Sequence, residues 1–528
     1  MPFYPEIRTL GDFARFHRQQ RPASPAFVFE DRQIDYQTFD RHTNQVANGV
    51  LAEGLAPQSR VAVMGRNSDW YYELLIGSSK ADMVTVGINW RLAPPEVAWI
   101  LNDAEARILF VGPEFIPLYD SIRDQLTTVE KVIVLAPSHD RYPAYPQWRA
   151  AQPDHDPDID VNPDDVAVQM YTSGTTGHPK GVQVSHRAFY VLNDIAEQSG
   201  EPEEEWTTWT DQDVSLLAMP NFHIGGTGWA LIGLYAGAKH VVLGEFTPAG
   251  CLQAIRDHGI SKLFIVPAAM QFVLADPTCA DTDFSTLKYI VYGASPIPLP
   301  LLQRAMDVFQ CGFIQLYGMT ETIGVGTYLP AEDHRPEGHP RMRSAGKTRP
   351  GVTVAIKDSA GNVVPNGVIG EICIKSPSNM LGYWKRPDAT ASTLIDGWVH
   401  TGDAGFMDDD GYVYVQDRIK DMIVSGGENI YPAEVESALH GLEGIADVAV
   451  IGVPDDKWGE AVKACVVLKS GASLTPEQII AFARERIAGY KVPKSVVFLD
   501  VLPRNPSGKI LKRELRAPYW EGRDRQVN

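Results

Sequence analysis

The sequence has little of several features that would place a protein in a specialised class. Only five of its 528 residues are cysteine, and none of them forms a Cys-x-x-Cys pair, so the spacing predicts neither a disulfide framework nor a zinc site. No run approaches the roughly 20 apolar residues of a membrane span. The formal net charge of −19 argues against the basic surface of a nucleic-acid-binding protein.

A secretory signal is also absent from the first residues, which read Met-Pro-Phe-Tyr-Pro-Glu-Ile-Arg. A reducing, cytoplasmic setting is therefore the simplest expectation. Two or more domains are expected, because a chain of this length is too long for one simple core. We expect no nucleic-acid partner and no transmembrane segment, whereas peripheral membrane contact and a homodimer both stay open.

The most informative stretch is Tyr171 to Gly181, which reads Tyr-Thr-Ser-Gly-Thr-Thr-Gly-His-Pro-Lys-Gly. It follows an apolar run, 166–170, that predicts a buried strand. It precedes an amphipathic segment that we expect to be a helix with Ser185 as its N-cap. Glycines let the backbone approach a phosphate, and backbone N–H groups, hydroxyls and Lys180 can bind its oxygens. Taken alone, such a segment is more often a polar surface loop, and it lacks the Gly-Lys-Ser/Thr of a P-loop.

The chain before this stretch alternates short apolar runs with segments at helical spacing, as in 26–29, 38–51 and 61–64. Such alternation is typical of an α/β architecture with a largely parallel sheet. From about residue 433 the pattern changes to helices at 433–439 and 476–487 with three strands, which predicts a small α+β domain of about 110 residues.

Four later segments contain residue types that suit a substrate or nucleotide site. Residues 218–226 combine an aromatic, a histidine and two glycines in an apolar setting, and residues 290–296 form a strand that ends in small residues. Residues 315–322 place an aromatic, a hydroxyl and a carboxylate together, as a nucleotide with Mg²⁺ needs. Asp403 could accept two ribose hydroxyls. Taken alone, each segment could equally be a turn or a helix cap.

Two segments in the C-terminal part of the chain stand out, one as a flexible connector and the other for a lysine in a loop. Residues 417–430 place charged residues before paired glycines, which indicates a flexible connector, and Lys509 follows a loop with two prolines and a glycine. By default that lysine belongs to a basic surface loop. A flexible ammonium could, however, offset charge as an acyl–phosphate bond forms.

In sequence order, these segments resemble the AMP-forming adenylating superfamily, which includes acyl-CoA synthetases, luciferases and the adenylation domains of peptide synthetases. The phosphate-loop signature and the Tyr-Gly-x-Thr-Glu motif carry the resemblance most specifically, and it spans nearly the whole chain. It implies a large domain of stacked, largely parallel α/β sheets with a β-barrel-like subdomain (1–416). A hinge (417–424) and a small, mobile α+β domain (425–528) are implied to follow.

The resemblance also implies a role for each matching residue. Lys509, Thr320, Glu321 and His223 are implied to be catalytic, with Glu321 holding Mg²⁺, and Lys420 lies at the hinge. The implied nucleotide-binding residues are Thr172, Ser173, Gly174, Thr175, Thr176, Lys180, Gly293, Ala294, Ser295, Gln315, Tyr317, Gly318, Met319, Thr320, Asp403, Arg418 and Lys509. The implied acyl pocket comprises Phe222, His223, Gly225, Trp229 and Gly318, and the implied CoA channel comprises Ser425, Gly426 and Gly427.

The chemistry implied by the resemblance has two steps. A carboxylate attacks the α-phosphate of Mg·ATP and releases pyrophosphate, and the thiol of CoA then displaces AMP. His223 stands where amino-acid-activating relatives carry an aspartate, so an acid with an apolar tail fits better than an amino acid. We expect a medium- or long-chain fatty acid, with an aryl or short branched acid as the nearest alternative. A carrier protein as acceptor, a luciferase-like oxygenase and a catalytically silent nucleotide-binding regulator are less favoured.

Overall fold

The computed structural model describes residues 3–172, 179–200, 207–425, 428–504 and 509–521. Within them, helices and strands alternate through most of the chain. The helices are α1 Leu10–Gln20, α2 Tyr36–Ala52, α3 Asp69–Lys80, α4 Pro94–Asp103, α5 Ile116–Ile122, α6 Tyr145–Ala150, α7 Val191–Ser199, α8 Ile224–Ala236, α9 Pro248–His258, α10 Pro267–Ala275, α11 Leu299–Phe309, α12 Pro387–Thr393, α13 Pro432–His440, α14 Pro476–Arg484 and α15 Lys512–Trp520. The strands are β1 Pro25–Phe29, β2 Arg32–Asp35, β3 Arg60–Met64, β4 Val84–Gly87, β5 Ala106–Val111, β6 Lys131–Val134, β7 Val166–Thr172, β8 Lys180–Ser185, β9 Val214–Leu217, β10 Lys239–Val242, β11 Lys262–Ile265, β12 Tyr289–Gly293, β13 Gly312–Tyr317, β14 Thr327–Leu329, β15 Thr353–Lys357, β16 Gly370–Lys375, β17 Gly382–Tyr383, β18 Leu394–Ile395, β19 Trp398–Met407, β20 Val413–Arg418, β21 Ile423–Ser425, β22 Glu428–Ile430, β23 Ile445–Asp455, β24 Gly459–Leu468 and β25 Ser495–Phe498.

Two large sheets form the main body. Their strand orders are β17-β8-β7-β4-β3-β5-β6 and β14-β13-β12-β11-β9-β10-β1-β2. Strands β7, β4, β3, β5 and β6 pair in parallel, as do β1, β10, β9, β11, β12 and β13. Strands β3 and β11 are buried along their whole length, as expected when helices cover both faces of a parallel sheet.

Helix α3 shows how the two sheets are joined, because every one of its residues is buried. Its apolar residues belong to a core cluster that draws side chains from both sheets. Its three charged residues are each paired: Asp69 with Arg32 at 2.6 Å, Glu73 with Arg149 at 2.5 Å, and Lys80 with Asp40 at 2.5 Å. Such pairing is needed because an unpaired buried charge is strongly destabilising.

The segment after the phosphate loop differs from the helix predicted to start near Ser185. Residues Lys180–Ser185 form β8, which pairs antiparallel with β7, and the next α-helix begins only at Val191. The reason is a period of two: Val182 and Val184 are buried while Gln183 between them is partly exposed, which is the pattern of a strand. The loop therefore closes a hairpin.

A third sheet is antiparallel, with the order β15-β16-β19-β18 and with β20 on β19. It has its own small core, which includes Ile356, Ile372 and Val413. This antiparallel sheet is the subdomain that was predicted to be β-barrel-like. The predicted fold class, a large domain of stacked, largely parallel α/β sheets with this subdomain and a small α+β C-terminal domain, is confirmed.

The C-terminal sheet has the order β22-β21-β24-β23, with β25 on β24, and helices α13 and α14 pack on it around Val435, Val450 and Ile479. The second predicted helix ends at Arg484, three residues earlier than the pattern indicated. The residue-level domain boundary at 417–424 stays a prediction. Strand β20 belongs to the third sheet and β21 to the C-terminal one. In the part of the chain described here, no helix is both long and apolar enough to cross a bilayer.

Candidate active site

The two ends of the phosphate loop lie side by side at the loop end of the β7–β8 hairpin. Thr172 and Lys180 are paired residues in this ladder, and Lys180 Nζ lies 4.6 Å from the centre of the Tyr383 ring. The predicted loop residues Ser173, Gly174, Thr175 and Thr176 lie outside the described residues. The hairpin thus fixes where the loop starts and ends.

A network that the sequence did not predict anchors the start of this loop. Tyr171 donates a hydrogen bond to Asp103 Oδ2 at 2.7 Å, and Arg386 contacts the other oxygen of Asp103 at 2.6 Å. The Trp384 indole donates to the backbone carbonyl of Asp103 at 2.8 Å, and the Arg60 guanidinium lies 3.5 Å from the Trp384 ring centre. Burial and Asp103 raise the pKa of Tyr171, so its hydroxyl remains a donor.

Glu321, the predicted magnesium ligand, is buried in a short turn directly after β13. Tyr383 donates a hydrogen bond to its Oε1 at 2.6 Å, and burial and Glu321 raise the pKa of Tyr383. This bond orients one carboxylate oxygen and leaves the other for a ligand. Tyr383 was missed in the sequence because strand β17, which carries it, is only two residues long.

Asp403, the predicted ribose ligand, is held by protein side chains at both of its carboxylate oxygens. Tyr317 donates to its Oδ2 at 2.7 Å, and Arg418 Nε lies 2.6 Å from its Oδ1. Asp403 and Arg418 are paired residues of β19 and β20. Burial, followed by Asp403, raises the pKa of Tyr317 well above its ordinary value. Tyr317 was predicted to pack on adenine; the structure adds that its hydroxyl orients the carboxylate.

Most of the other predicted nucleotide ligands gather at the carboxyl ends of β12 and β13, which pair in parallel. Open α/β sheets bind ligands at this edge. A Cβ at Gly293 would lie 2.4 Å from the Leu316 carbonyl oxygen, so the close approach needs glycine, and Ala294 has a φ of 67°. The predicted residues brought to this edge are Gly293, Ala294, Ser295, Gln315, Tyr317, Gly318, Met319 and Thr320.

Lys509 comes from the C-terminal domain and reaches this same region. Desolvation, then the Arg418 charge, lowers the pKa of Lys509 to about 8, while Asp403 acts in the opposite direction. The residue remains exposed, so solvent offsets part of that lowering. Lys420, predicted at the hinge, is a second nearby cation. Asp403, Arg418 and Lys509 are thus brought together from two domains.

The residues predicted for the CoA channel are only partly described. Ser425 is buried at the end of β21 and pairs with Gly459 and Glu428. Gly426 and Gly427 lie outside the described residues, so their role stays a prediction.

His223, at the N-cap of α8, begins the predicted acyl pocket. Burial and the charge of Arg91 lower the pKa of His223 to about 4, so its imidazole is neutral near pH 7. The ring lies 4.7 Å from that of Phe222, and in the described structure its Nε2 has no hydrogen-bond partner. A buried polar atom without a partner calls for an explanation, and a bound carboxylate substrate would supply one.

The wall beyond His223 is aromatic. A Cβ at Gly225 would lie 2.9 Å from the Phe264 ring. Trp229 packs edge-on against Trp209, with ring centres 5.0 Å apart, and its indole N–H has no partner in the described structure. Phe264, at β11, was missed because nothing in its local sequence distinguishes it from an ordinary core phenylalanine. Gly318 packs against the backbone of Gly324.

Comparisons with known proteins agree along the whole chain. The family model for AMP-binding enzymes matches residues 14–384, and the model for the AMP-binding enzyme C-terminal domain matches residues 434–509. A fatty acid–[acyl-carrier-protein] ligase, ScoC, of Streptomyces coeruleorubidus is 42% identical over 99% of both chains. A feruloyl-CoA synthase of an Amycolatopsis species is 38% identical over 97% of this chain and 99% of its own. The solved structure of the anthranilate CoA ligase AuaEII with anthranoyl-AMP superposes with a TM-score of 0.89, at 27% identity and 98% coverage of both chains.

Proposed function

Because the chain belongs to the AMP-binding enzyme family and is an AMP-forming acid–thiol ligase, we propose that it activates a medium- or long-chain fatty acid and transfers it to CoA. The observation that carries the substrate class is the packing of the side chains beyond His223, which we assign to the acyl pocket. The described wall of this pocket is formed by Gly225, Phe264 and Trp229, and the neutral imidazole of His223 stands where a carboxylate would be needed to pair with the charged amine of an amino acid. Such a wall suits an apolar tail.

In the proposed first step, Asp403 accepts the ribose hydroxyls of ATP. A carboxylate has about four acceptor sites, so Asp403 retains capacity after binding Tyr317 and Arg418. The phosphate loop and Lys180 hold the phosphates, and Thr320 donates to a phosphate oxygen. A carboxylate oxygen of the fatty acid then attacks the α-phosphorus, and the bond to pyrophosphate breaks. Lys509 offsets the negative charge that builds up between the reacting groups.

The donor set around Glu321 fits Mg²⁺, which takes one or two protein carboxylates together with substrate phosphates. Glu321 would hold it through the oxygen that Tyr383 leaves open. When bound, the ion would supply charge neutralisation of the pyrophosphate leaving group.

In the proposed second step, the CoA sulfur attacks the acyl carbonyl and AMP leaves. Residues 1–416 would carry the nucleotide and acyl sites, 417–424 would act as the hinge, and 425–528 would rotate. Lys509 would face the site in the first step, and the segment from Ser425 to Gly427 would line the thiol channel in the second.

An aryl acid is the second candidate, favoured by the contact between Gly225 and Phe264. The Phe264 ring and the neighbouring Trp229 ring give the proposed acyl pocket a wall of planar aromatic side chains. Such a wall would also accept the flat ring of an aryl acid. Two of the similar proteins bear names of aryl-acid ligases, feruloyl and anthranilate. The name of ScoC specifies a carrier protein as acceptor, so CoA is also a point to test.

The test is pyrophosphate release with ATP and Mg²⁺ over a panel from acetate through C8 to C18 fatty acids, with benzoate and cinnamate types. CoA and a holo acyl carrier protein are supplied in parallel. We expect the highest kcat/KM with C8 to C18 acids and an acyl-CoA product. A maximum with aryl acids would replace the substrate class, and product only with the carrier protein would replace the acceptor. Bound ATP without pyrophosphate release from any acid would contradict the ligase function.

A further inference from the structure

Three side chains of metal-binding type meet on the antiparallel sheet. Glu371 and Cys373 are two residues apart on β16, so their side chains share one face. The register places His400 of β19 opposite Cys373. The intervening Ile372 belongs to the core of the sheet, on the other face. Across the described ranges, no other group of three His, Cys, Asp or Glu residues brings its donor atoms this close together.

The donor atoms already lie near metal-binding distances. Glu371 Oε2 and Cys373 Sγ lie 2.7 and 3.5 Å from His400 Nδ1, and all three donors lie within 4.8 Å of one another. Tetrahedral zinc, with bonds of about 2.3 Å to sulfur and about 2.0 Å to nitrogen, holds those two atoms about 3.5 Å apart. The Cys–His pair therefore needs almost no movement, and the carboxylate must retreat from the ring by about half an ångström.

We propose that Glu371, Cys373 and His400 form a zinc site, with water as the fourth ligand. Thiolate, imidazole and carboxylate are the ligand types that zinc uses, whereas Mg²⁺ and Ca²⁺ prefer oxygen alone. The side chains of His400 and Glu371 are 16% and 23% exposed, which gives the ion a route in, while Cys373 is fully buried.

Binding requires the Cys373 thiol to lose its proton. Burial and the neighbouring Glu371 raise the pKa of Cys373 to about 12, so the metal-free protein holds a neutral thiol. On binding, a Zn–S bond forms, the S–H bond breaks and the proton leaves to solvent. The His400 Nδ1 proton, which is donated to Glu371 in the metal-free protein, must also leave, either to solvent or to Nε2 of the same ring, before Nδ1 can bind the ion. Lys357, which is paired with Glu371 across β15 and β16, is a nearby positive charge that would repel the bound ion. It packs on the Trp398 ring, 4.4 Å from the ring centre.

Zinc at this site would reach the nucleotide site through Glu371. Its second oxygen, Oε1, accepts the Gly402 backbone N–H at 2.9 Å, and Gly402 directly precedes Asp403. An ion that pulls on the carboxylate would displace this peptide, so we expect Zn²⁺ to raise the KM for ATP. This consequence, unlike the zinc site itself, rests on the proposed role of Asp403.

Cobalt and zinc titrations of the metal-free full chain test the site. We expect one equivalent of Co²⁺ to bind with a sulfur-to-cobalt charge-transfer band in the near ultraviolet, and Zn²⁺ to abolish that band by displacement. Cys373→Ser should lose the band and weaken Zn²⁺ binding by more than about tenfold, the range seen when even outer partners of a metal site are removed. Cys311→Ser, whose cysteine lies outside the cluster, is the matched control and should keep both properties.

A wild-type protein without the band, or a Cys373→Ser protein that keeps wild-type Zn²⁺ affinity, would overturn the proposal. His400→Gln serves if Cys373→Ser does not fold, since His400 is partly exposed; unchanged Zn²⁺ affinity in this variant would also overturn it. The KM for ATP is measured with and without Zn²⁺ in the wild type and in Cys373→Ser. An absence of pyrophosphate release with every acid would sink the proposed function while the cobalt band still decides the zinc site.

Discussion

The nucleotide side and the acyl side of the candidate site are built differently. On the nucleotide side, the carboxylates are already hydrogen-bonded in the described structure: Asp403 to Tyr317 and Arg418, and Glu321 to Tyr383. On the acyl side, His223 Nε2 and the Trp229 indole N–H are buried, and none of the described residues hydrogen-bonds to either atom. The carboxylates of the nucleotide side are thus oriented by charge-assisted hydrogen bonds within the protein. The acyl side is shaped by side-chain packing, and a bound substrate would supply the hydrogen-bond partners of its buried polar atoms.

This difference suggests that the nucleotide side determines the rate of the reaction and that the acyl side determines which acid is selected. Catalysis by preorganised groups requires fixed polar geometry, and the nucleotide side has it. Selection among acids requires only a shape, and a few contacts in an apolar wall change selectivity without touching the reaction. Substitutions on the two sides should therefore separate rate from specificity.

The largest effect is expected from Lys509→Ala, which removes the cation proposed to act in adenylation. We expect kcat for pyrophosphate release to fall by about 10²–10³-fold, the loss typical of removing one stabilising donor. Thioester formation from a supplied acyl adenylate should be largely retained, because Lys509 is proposed to act only in the first step. Both half-reactions are measured separately, with Lys457→Ala, an exposed lysine of the same domain, as the control. Equal loss of both half-reactions would show that the lysine is structural.

Tyr317→Phe removes the hydroxyl that orients the Asp403 carboxylate and keeps the aromatic ring of residue 317. A hydrogen bond to a charged group contributes about 1.5–3 kcal/mol, so kcat/KM for ATP should fall by about 10–100-fold. The ranking of acids should not change. Tyr36→Phe, which removes another buried hydroxyl, bonded to the Ala238 carbonyl oxygen, is the matched control. A changed order of preferred acids in Tyr317→Phe would mean that the two sides are not separable.

The same contrast explains what the sequence could predict. Asp403 and Glu321 stand in local motifs. Glu321 follows β13 at the carboxyl edge that β13 shares with the parallel strand β12, whereas Asp403 lies on β19 of the antiparallel sheet and meets this edge through its hydrogen bond from Tyr317. Strand β8 was missed, and a helix was expected directly after it at about Ser185, because a six-residue alternation beside a glycine-rich loop is weak evidence by itself. Tyr383 and Phe264 could not be predicted, because their roles come from long-range contacts with Glu321 and Gly225.

The zinc-binding cluster was likewise invisible in the sequence. Cysteine spacing along the chain predicted no zinc site, since only Cys373 among the cysteines takes part and His400 follows it by 27 residues. The pairing of β16 with β19 brings them together, and a strand register that spans such a separation is not encoded in any short motif.

Gly225→Ala tests whether the acyl side controls the choice of acid without affecting ATP. The added methyl group would meet the Phe264 ring at 2.9 Å, so the pocket must shift. We expect kcat/KM to fall by about tenfold for the preferred acid, within the range for one methylene in an apolar pocket, and less for acetate. The KM for ATP should stay unchanged. Gly228→Ala, whose methyl group would meet only the flexible Ile224 side chain, is the control. A uniform loss over all acids would contradict a role in specificity.

The smallest effect concerns pH and follows from the pKa of Lys509, which is lowered to about 8. The ammonium is charged below that pKa and neutral above it, so adenylation should weaken as the pH rises through about 8. Thioester formation from a supplied adenylate should show no such decline from this group. At pH 9 a pKa near 8 leaves about a tenth of the lysine charged, so the ratio of the two rates should drop by up to about tenfold between pH 7 and 9. Lys509→Arg keeps its charge throughout this range, and its rate ratio should be flat even if its rate is lower. A decline that persists in Lys509→Arg would assign the titration to another group.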